Sequence, residues 1–217
     1  MGDWILNDNM LTIGKRIEIS IIRNGEKYVF PSKVEDIKND SILVGMPLKG
    51  NKTFPVSLGE TVYIYFLHRD SFYCVEGLVL SKNELPIPLM LLKLTGLPYK
   101  IQRRQYYRLK VSIKAEIKDE ENEDYIEGLI KDLSASGALV AVKESFEKET
   151  GVNIRFTLGK DLLELNAVVK RTEYHKKRSI YPYDVAIQFK DINEPQRDII
   201  IKFILEQQRL LRKKGLI

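Results

Sequence analysis

The feature that most constrains this chain is an alternation of apolar and polar residues, cut at short and near-regular intervals by turn residues. Arg16 to Ile22 is a mostly alternating run with Ile17, Ile19 and Ile21 on one face. A period of two belongs to an extended strand with one buried side. The run stops at Asn24-Gly25 and resumes at Tyr28-Val29-Phe30. Asn-Gly between two such runs predicts a tight hairpin, because both turn positions need positive φ. Further extended runs are Ser41 to Val44, Thr61 to Phe66, Tyr73 to Leu80 and Leu89 to Leu94. The turn residues Asn39-Asp40, Pro47, Gly50-Asn51, Gly59 and Asp70-Ser71 separate them. Many short strands at such spacing predict a barrel or a sandwich.

The rhythm breaks at Asn83 to Tyr99, which holds Pro86, Pro88, Gly96 and Pro98. A domain boundary is expected near Pro98, giving domains over residues 1–98 and 99–217, with 99–108 a basic linker. The chain's 217 residues suit two domains of about a hundred each. Strands are expected again over Leu109 to Lys118, Tyr125 to Lys131, Ala138 to Val142, Val152 to Leu158, Leu163 to Tyr174 and Tyr183 to Phe189. A helix closes the chain. Asn193 suits its N-cap, Gln196 completes a capping box, and Pro195 sits in the first turn, where its missing N–H costs little. Ile200, Phe203, Ile204 and Leu211 repeat at helical spacing and form the packing face, while Arg209, Arg212, Lys213 and Lys214 complement the dipole at the far end. The expected class is all-β, two small barrels plus a C-terminal α-helix.

Composition removes several functions. Hydrophobic residues make up 44% and charged residues 30%, which is ordinary for a globular chain. A net charge of +5 admits an anionic partner but selects none. Met1 to Leu6 lacks the basic stretch and apolar core of a secretory signal, and Leu6 stands where an N-myristoylation motif needs Ser or Thr. No apolar run reaches the ~20 residues that span a membrane. The single cysteine, Cys74, allows no internal disulfide. Together these predict a cytoplasmic protein without membrane insertion. Two histidines and one cysteine cannot build a closed zinc site, so no metal or other cofactor is expected. His68-Arg69-Asp70 imitates a kinase triplet but lacks that family's other parts, and Gly45 to Thr53 nearly spells a P-loop but joins strands. An enzyme is not expected.

Two clusters in the second half carry chemistry. Arg103-Arg104-Gln105-Tyr106-Tyr107-Arg108 contains Arg-x-x-x-Arg, and Asp132-Leu133-Ser134-Ala135-Ser136-Gly137 contains Asp-x-Ser-x-x-Gly at a corner between strands. Arg is a permanently charged planar fork that binds phosphate bidentately, matches guanine O6 and N7, and stacks on bases. Asp accepts from a guanine N–H edge, Ser offers a hydroxyl, and Gly lets backbone approach a ligand closely. Alone, each pattern also serves as an ordinary charged surface or turn. Together they suit a ligand bearing guanine and phosphate.

The pair, in this order and followed by a barrel and a terminal helix, resembles the PilZ domain. Arg104 and Arg108 match its first motif; Asp132, Ser134 and Gly137 match its second; Tyr183 to Phe189 resembles its last strand, with Ala186 where many members have Gly. The resemblance implies a six-stranded barrel that binds cyclic di-GMP. The first half resembles the split-barrel-like N-terminal domain of YcgR-type flagellar brakes, through Gly14, Ser32-Lys33-Val34-Glu35-Asp36-Ile37, Gly45-Met46-Pro47 and Gly59 before Val62. By the same resemblance, an Arg at 103 implies a stacked pair of ligands, the linker closes over them, and the closed form acts on a flagellar motor or stator protein. The competing expectations are a barrel that binds single-stranded nucleic acid, for which Arg103 to Arg108 interleaves charge with aromatics, and a PilZ adaptor serving another output such as exopolysaccharide.

Overall fold

The alternating runs become two closed barrels. A computed structural model describes residues 10–50, 52–83 and 86–215. The Met1 to Leu6 segment, Asn51 of the P-loop-like run and Leu85 of the longest apolar run lie outside the described residues. The first barrel is built from β1 (Arg16–Arg23), β2 (Glu26–Lys38), β3 (Ser41–Gly45), β6 (Thr61–His68), β7 (Ser71–Asn83) and β8 (Leu89–Ile101), in the order β1-β2-β3-β8-β7-β6. The short pair β4 (Leu48–Lys49) and β5 (Lys52–Thr53) forms a separate two-stranded sheet. The second barrel is built from β9 (Leu109–Asp119), β10 (Ile126–Ser134), β11 (Gly137–Val142), β12 (Gly151–Leu158), β13 (Asp161–Tyr174) and β14 (Tyr183–Phe189), in the order β10-β11-β14-β13-β12-β9. All ladders are antiparallel.

Turn chemistry sets the register. Asn24 and Gly25 adopt φ of 50° and 79° and join β1 to β2, so that Arg23 faces Glu26. Arg69 and Asp70 do the same between β6 and β7, at φ of 45° and 61°. The kinase-like triplet is therefore a hairpin turn. Closure puts Ile17, Ile19 and Ile21 inside the first barrel with Ile64, Phe66 and Leu92. Each such side chain contributes about 1.5–3 kcal/mol relative to exposure. Cys74 lies outside that apolar cluster but is fully buried opposite Tyr65 and Tyr99. The thiol beside Tyr99 pushes that phenol up to about 12.

The boundary lies further along than expected. β8 runs through Pro98 to Ile101, and the compact units divide between Arg103 and Arg104. The reason is an irregularity: Cys74 pairs with Tyr99 while Glu76 pairs with Thr95. The extra residues on β8 include Gly96 and Pro98, and a bulge tolerates Pro because no ladder donor is needed there. Residues 99–101 of the expected linker are therefore strand, and the irregular connection is 102–108.

One helix, α1 (Glu194–Lys213), follows the second barrel among the described residues. Asn193 Oδ1 accepts from Gln196 N at 2.8 Å, and Asn193 N donates to Gln196 Oε1 at 3.2 Å, completing the capping box. Ile200 and Ile204 are buried against the barrel core, with Phe203 and Leu211 packed beside them.

Candidate functional site

The second motif occupies the β10–β11 corner. Ser134 pairs with Gly137 at the end of the hairpin, leaving Ala135 and Ser136 as the turn. Ser134 Oγ donates to the Gly137 carbonyl at 3.1 Å and lies 3.2 Å from Ser136 Oγ, while Ser136 N donates back to it at 3.3 Å. A hydroxyl so placed fixes the corner, and Ser134, though buried, lines the hollow beside it. Gly137 is required by close approach: a Cβ there would stand 2.2 Å from the Ile187 carbonyl oxygen of β14. Asp132 follows a register shift at Lys131 that re-aims the end of β10.

A cavity of about 470 Å³ opens over this corner, within the range of small-molecule sites. Arg108, Asp132, Ser134 and Gly137 line it. Arg104 acts electrostatically on Asp132. Burial pushes the Asp132 carboxyl above its ordinary 3.8, against the opposing pull of Arg108, Arg104 and Lys110. The carboxylate is thus short of donors, which suits an acceptor that awaits the N–H edge of a ligand.

Arg103 is placed elsewhere. It belongs to the first compact unit, where its guanidinium lies over the rings of Tyr65 (4.2 Å) and Phe72 (4.8 Å) and Nη1 donates to Glu18. It does not line the cavity of the second barrel.

Sequence reasoning missed the opposite wall. Lys170, Arg171 and Gln188 also line the cavity, with Leu139 and Ala186 among its other lining residues. Val169 pairs with Ile187 while Arg171 pairs with Ala186, so Lys170 is an extra residue and both cations are exposed. The available signal was the run Ala167-Val168-Val169, which is buried throughout and breaks the alternation just before the bulge.

Two other features of this barrel contain internal ion pairs or hydrogen bonds. A larger hollow, about 860 Å³, is lined in part by Leu129, Phe156, Leu162 and Tyr181. Its Arg155 pairs with Glu116, and Tyr125 donates to Glu164 beside it. Size alone favours that hollow; the smaller one holds Arg108, Lys170 and Arg171 with the partly buried Asp132 carboxyl. Asp184, buried on β14, accepts from Lys131 and Arg178 at 2.7 Å each, and His175 Nε2 lies 3.0 Å away. Burial raises its pKa, but those hydrogen bonds outweigh it and leave the carboxyl below its ordinary value.

Comparisons with known proteins agree with this geometry. Residues 102–206 match the PilZ domain family, and residues 12–94 match the flagellar protein YcgR family. The protein YpfA of Bacillus subtilis is 24% identical over 228 residues, covering 95% of this chain and 99% of that one. The solved B. subtilis inhibitor of motility (MotI/DgrA) superposes with a TM-score of 0.77 at 21% identity, over 93% of this chain and 100% of that one. Escherichia coli YcgR, solved in complex with c-di-GMP, gives 0.50 at 16% identity over 92% and 87%. The structural likenesses show a shared fold. The chain is a PilZ-domain protein with an N-terminal domain of the YcgR type.

Proposed function

We propose that this chain is a receptor for cyclic di-GMP whose bound form regulates motility. The observation that carries this reading is one cavity holding Arg108, Asp132, Ser134 and Gly137 at a single β-corner, with Arg104 in electrostatic range of Asp132. Arg104 and Arg108 take phosphate or the guanine O6 and N7. Asp132 accepts from guanine N1–H and the exocyclic amine, Ser134 offers its hydroxyl, and Gly137 lets the corner that carries them pack directly on β14. Four charge-assisted contacts at about 1.5–3 kcal/mol each contribute about 6–12 kcal/mol gross, against which the ordering of 102–108 counts. Arg103, once it leaves Glu18, is assigned to a second, stacked ligand.

The likeness to YcgR, which binds c-di-GMP, and to an inhibitor of motility supports the ligand and the output. The reading makes the protein a cytoplasmic, non-enzymatic regulator that acts on a flagellar motor or stator protein in its closed form. No helix among the described residues is long and apolar enough to cross a membrane. Titration calorimetry with cyclic di-GMP, with GTP and cyclic di-AMP as controls, tests the ligand. Binding that is lost in Arg104→Ala supports it; equal heats for all three nucleotides, or none, overturn it. A stoichiometry of two supports the Arg103 assignment and a stoichiometry of one refutes it. Unchanged swimming after deletion in cells with raised cyclic di-GMP removes the motor assignment.

A further inference from the structure

The two sequence motifs account for one side of the cavity only. Along the sheet the order is β10, β11, β14, β13, so the cavity spans four adjacent strands. Measured along the curved sheet at ~4.8 Å per strand, about 14 Å of barrel surface runs from the Asp132–Ser134 wall on β10 to Lys170 and Arg171 on β13, and the straight-line distance is shorter. Leu139 of β11 and Ala186 of β14, directly paired, form the floor between them. An ordinary strand would send one of two consecutive residues inward. The irregularity between Val169 and Arg171 sends both cations outward.

Charge points the same way. The lining holds the cations Arg108, Lys170 and Arg171 against one carboxylate, Asp132, which leaves two positive charges in excess. The present partners of the β13 pair are weak. Lys170 meets Glu149 at 3.2 Å and Arg171 meets Glu173 at 2.5 Å, and all four side chains are at least 42% exposed. Exposed ion pairs of this kind contribute little and exchange readily for a better anion.

We infer that Lys170 and Arg171 form a second cationic wall that takes the far end of the ligand: its distal phosphate for Lys170, and phosphate or guanine O6 and N7 for the planar fork of Arg171. This rests on the cyclic di-GMP reading and extends it to residues outside both motifs. The wall makes the site selective for a ligand long enough to bridge β10 and β13 and carrying two negative charges. A mononucleotide held at the β10–β11 corner does not reach it.

The test is calorimetry of the full chain with cyclic di-GMP for wild type, Lys170→Ala, Arg171→Ala and Arg171→Lys, with unliganded melting curves as the folding control. Both positions are exposed, so the unliganded curves should coincide. Arg171→Ala is expected to weaken binding about tenfold, Lys170→Ala about threefold, and Arg171→Lys to recover part of the loss, because the charge remains while the fork is lost. The salt dependence of binding should become shallower in both alanine variants. Wild-type binding with both alanine variants within twofold of it overturns the wall and leaves the receptor reading standing. Absence of wild-type binding overturns both.

Discussion

The first barrel closes six strands in the order β1-β2-β3-β8-β7-β6 and the second in the order β10-β11-β14-β13-β12-β9, yet they treat their outward cations differently. On the first, Arg23 donates to both carboxylate oxygens of Glu60 and to the Pro55 carbonyl, and lies over Phe54. Lys27 sits over Tyr65, and Arg103 over Tyr65 and Phe72 with Glu18. These three cations are held by groups of the first unit. On the second, Arg108, Lys170 and Arg171 surround a hollow whose one lining carboxylate is Asp132. The same closed architecture holds these cations against its own rings and carboxylates in one copy and gathers cations around a hollow in the other. Both barrels carry bulges, and in the second the β10–β11 corner and the β13 bulge lie along the same hollow.

The largest expected effect breaks the comparison at its backbone. Gly137→Ala drives a Cβ into the Ile187 carbonyl, which cannot swing away, and should cost about 3 kcal/mol. Gly77→Ala in the first barrel meets the flexible end of Ile64 at 2.8 Å and should cost about 1 kcal/mol. Urea unfolding of both variants measures the pair, and equal losses would remove the claim that the second corner is the tighter. Next, Arg108→Ala should weaken cyclic di-GMP about a hundredfold, or ~2.7 kcal/mol, while leaving the unliganded melting temperature in place.

A smaller effect sharpens the contrast within the second barrel. Asp132 has a raised pKa, so the folded state holds its proton longer and stability is lost as pH rises from ~3.9 through the folded value. Asp132→Asn should therefore stabilise the unliganded protein slightly at neutral pH while removing ligand binding. Binding to wild type should fade as pH drops through that same value. Asp184 runs the other way: its pKa is lowered, its stabilisation is present above ~3.9, and it is lost as pH falls through the folded value. Thermal melts of Asp132→Asn and Asp184→Asn across pH 3 to 7 should shift in opposite directions. Smallest of all, Arg23→Ala should lower the melting temperature slightly and leave ligand binding untouched, because its partners lie within the first barrel.

Local rules carried most of the architecture. Asn24-Gly25 announced its hairpin, and Asn193 with Gln196 announced the helix start, because each signal is complete within a few residues. The motif corner was legible for the same reason. Pro98 misled because the bulge that accommodates it is set by pairing with β7, which the local sequence does not contain. The pairing of Arg103 with Glu18 was not legible, because the two lie 85 positions apart in the chain. The β13 wall was hidden likewise: its residues join the cavity through strand order rather than through proximity in the chain.

The sealed position of Cys74 has a practical consequence. The chain's single thiol is fully covered on the outer side of the first barrel. Alkylating dyes and spin labels should therefore ignore the native protein. A cysteine introduced on any exposed strand becomes the sole addressable handle, so a fluorophore reporting nucleotide binding can be attached without first deleting a native residue.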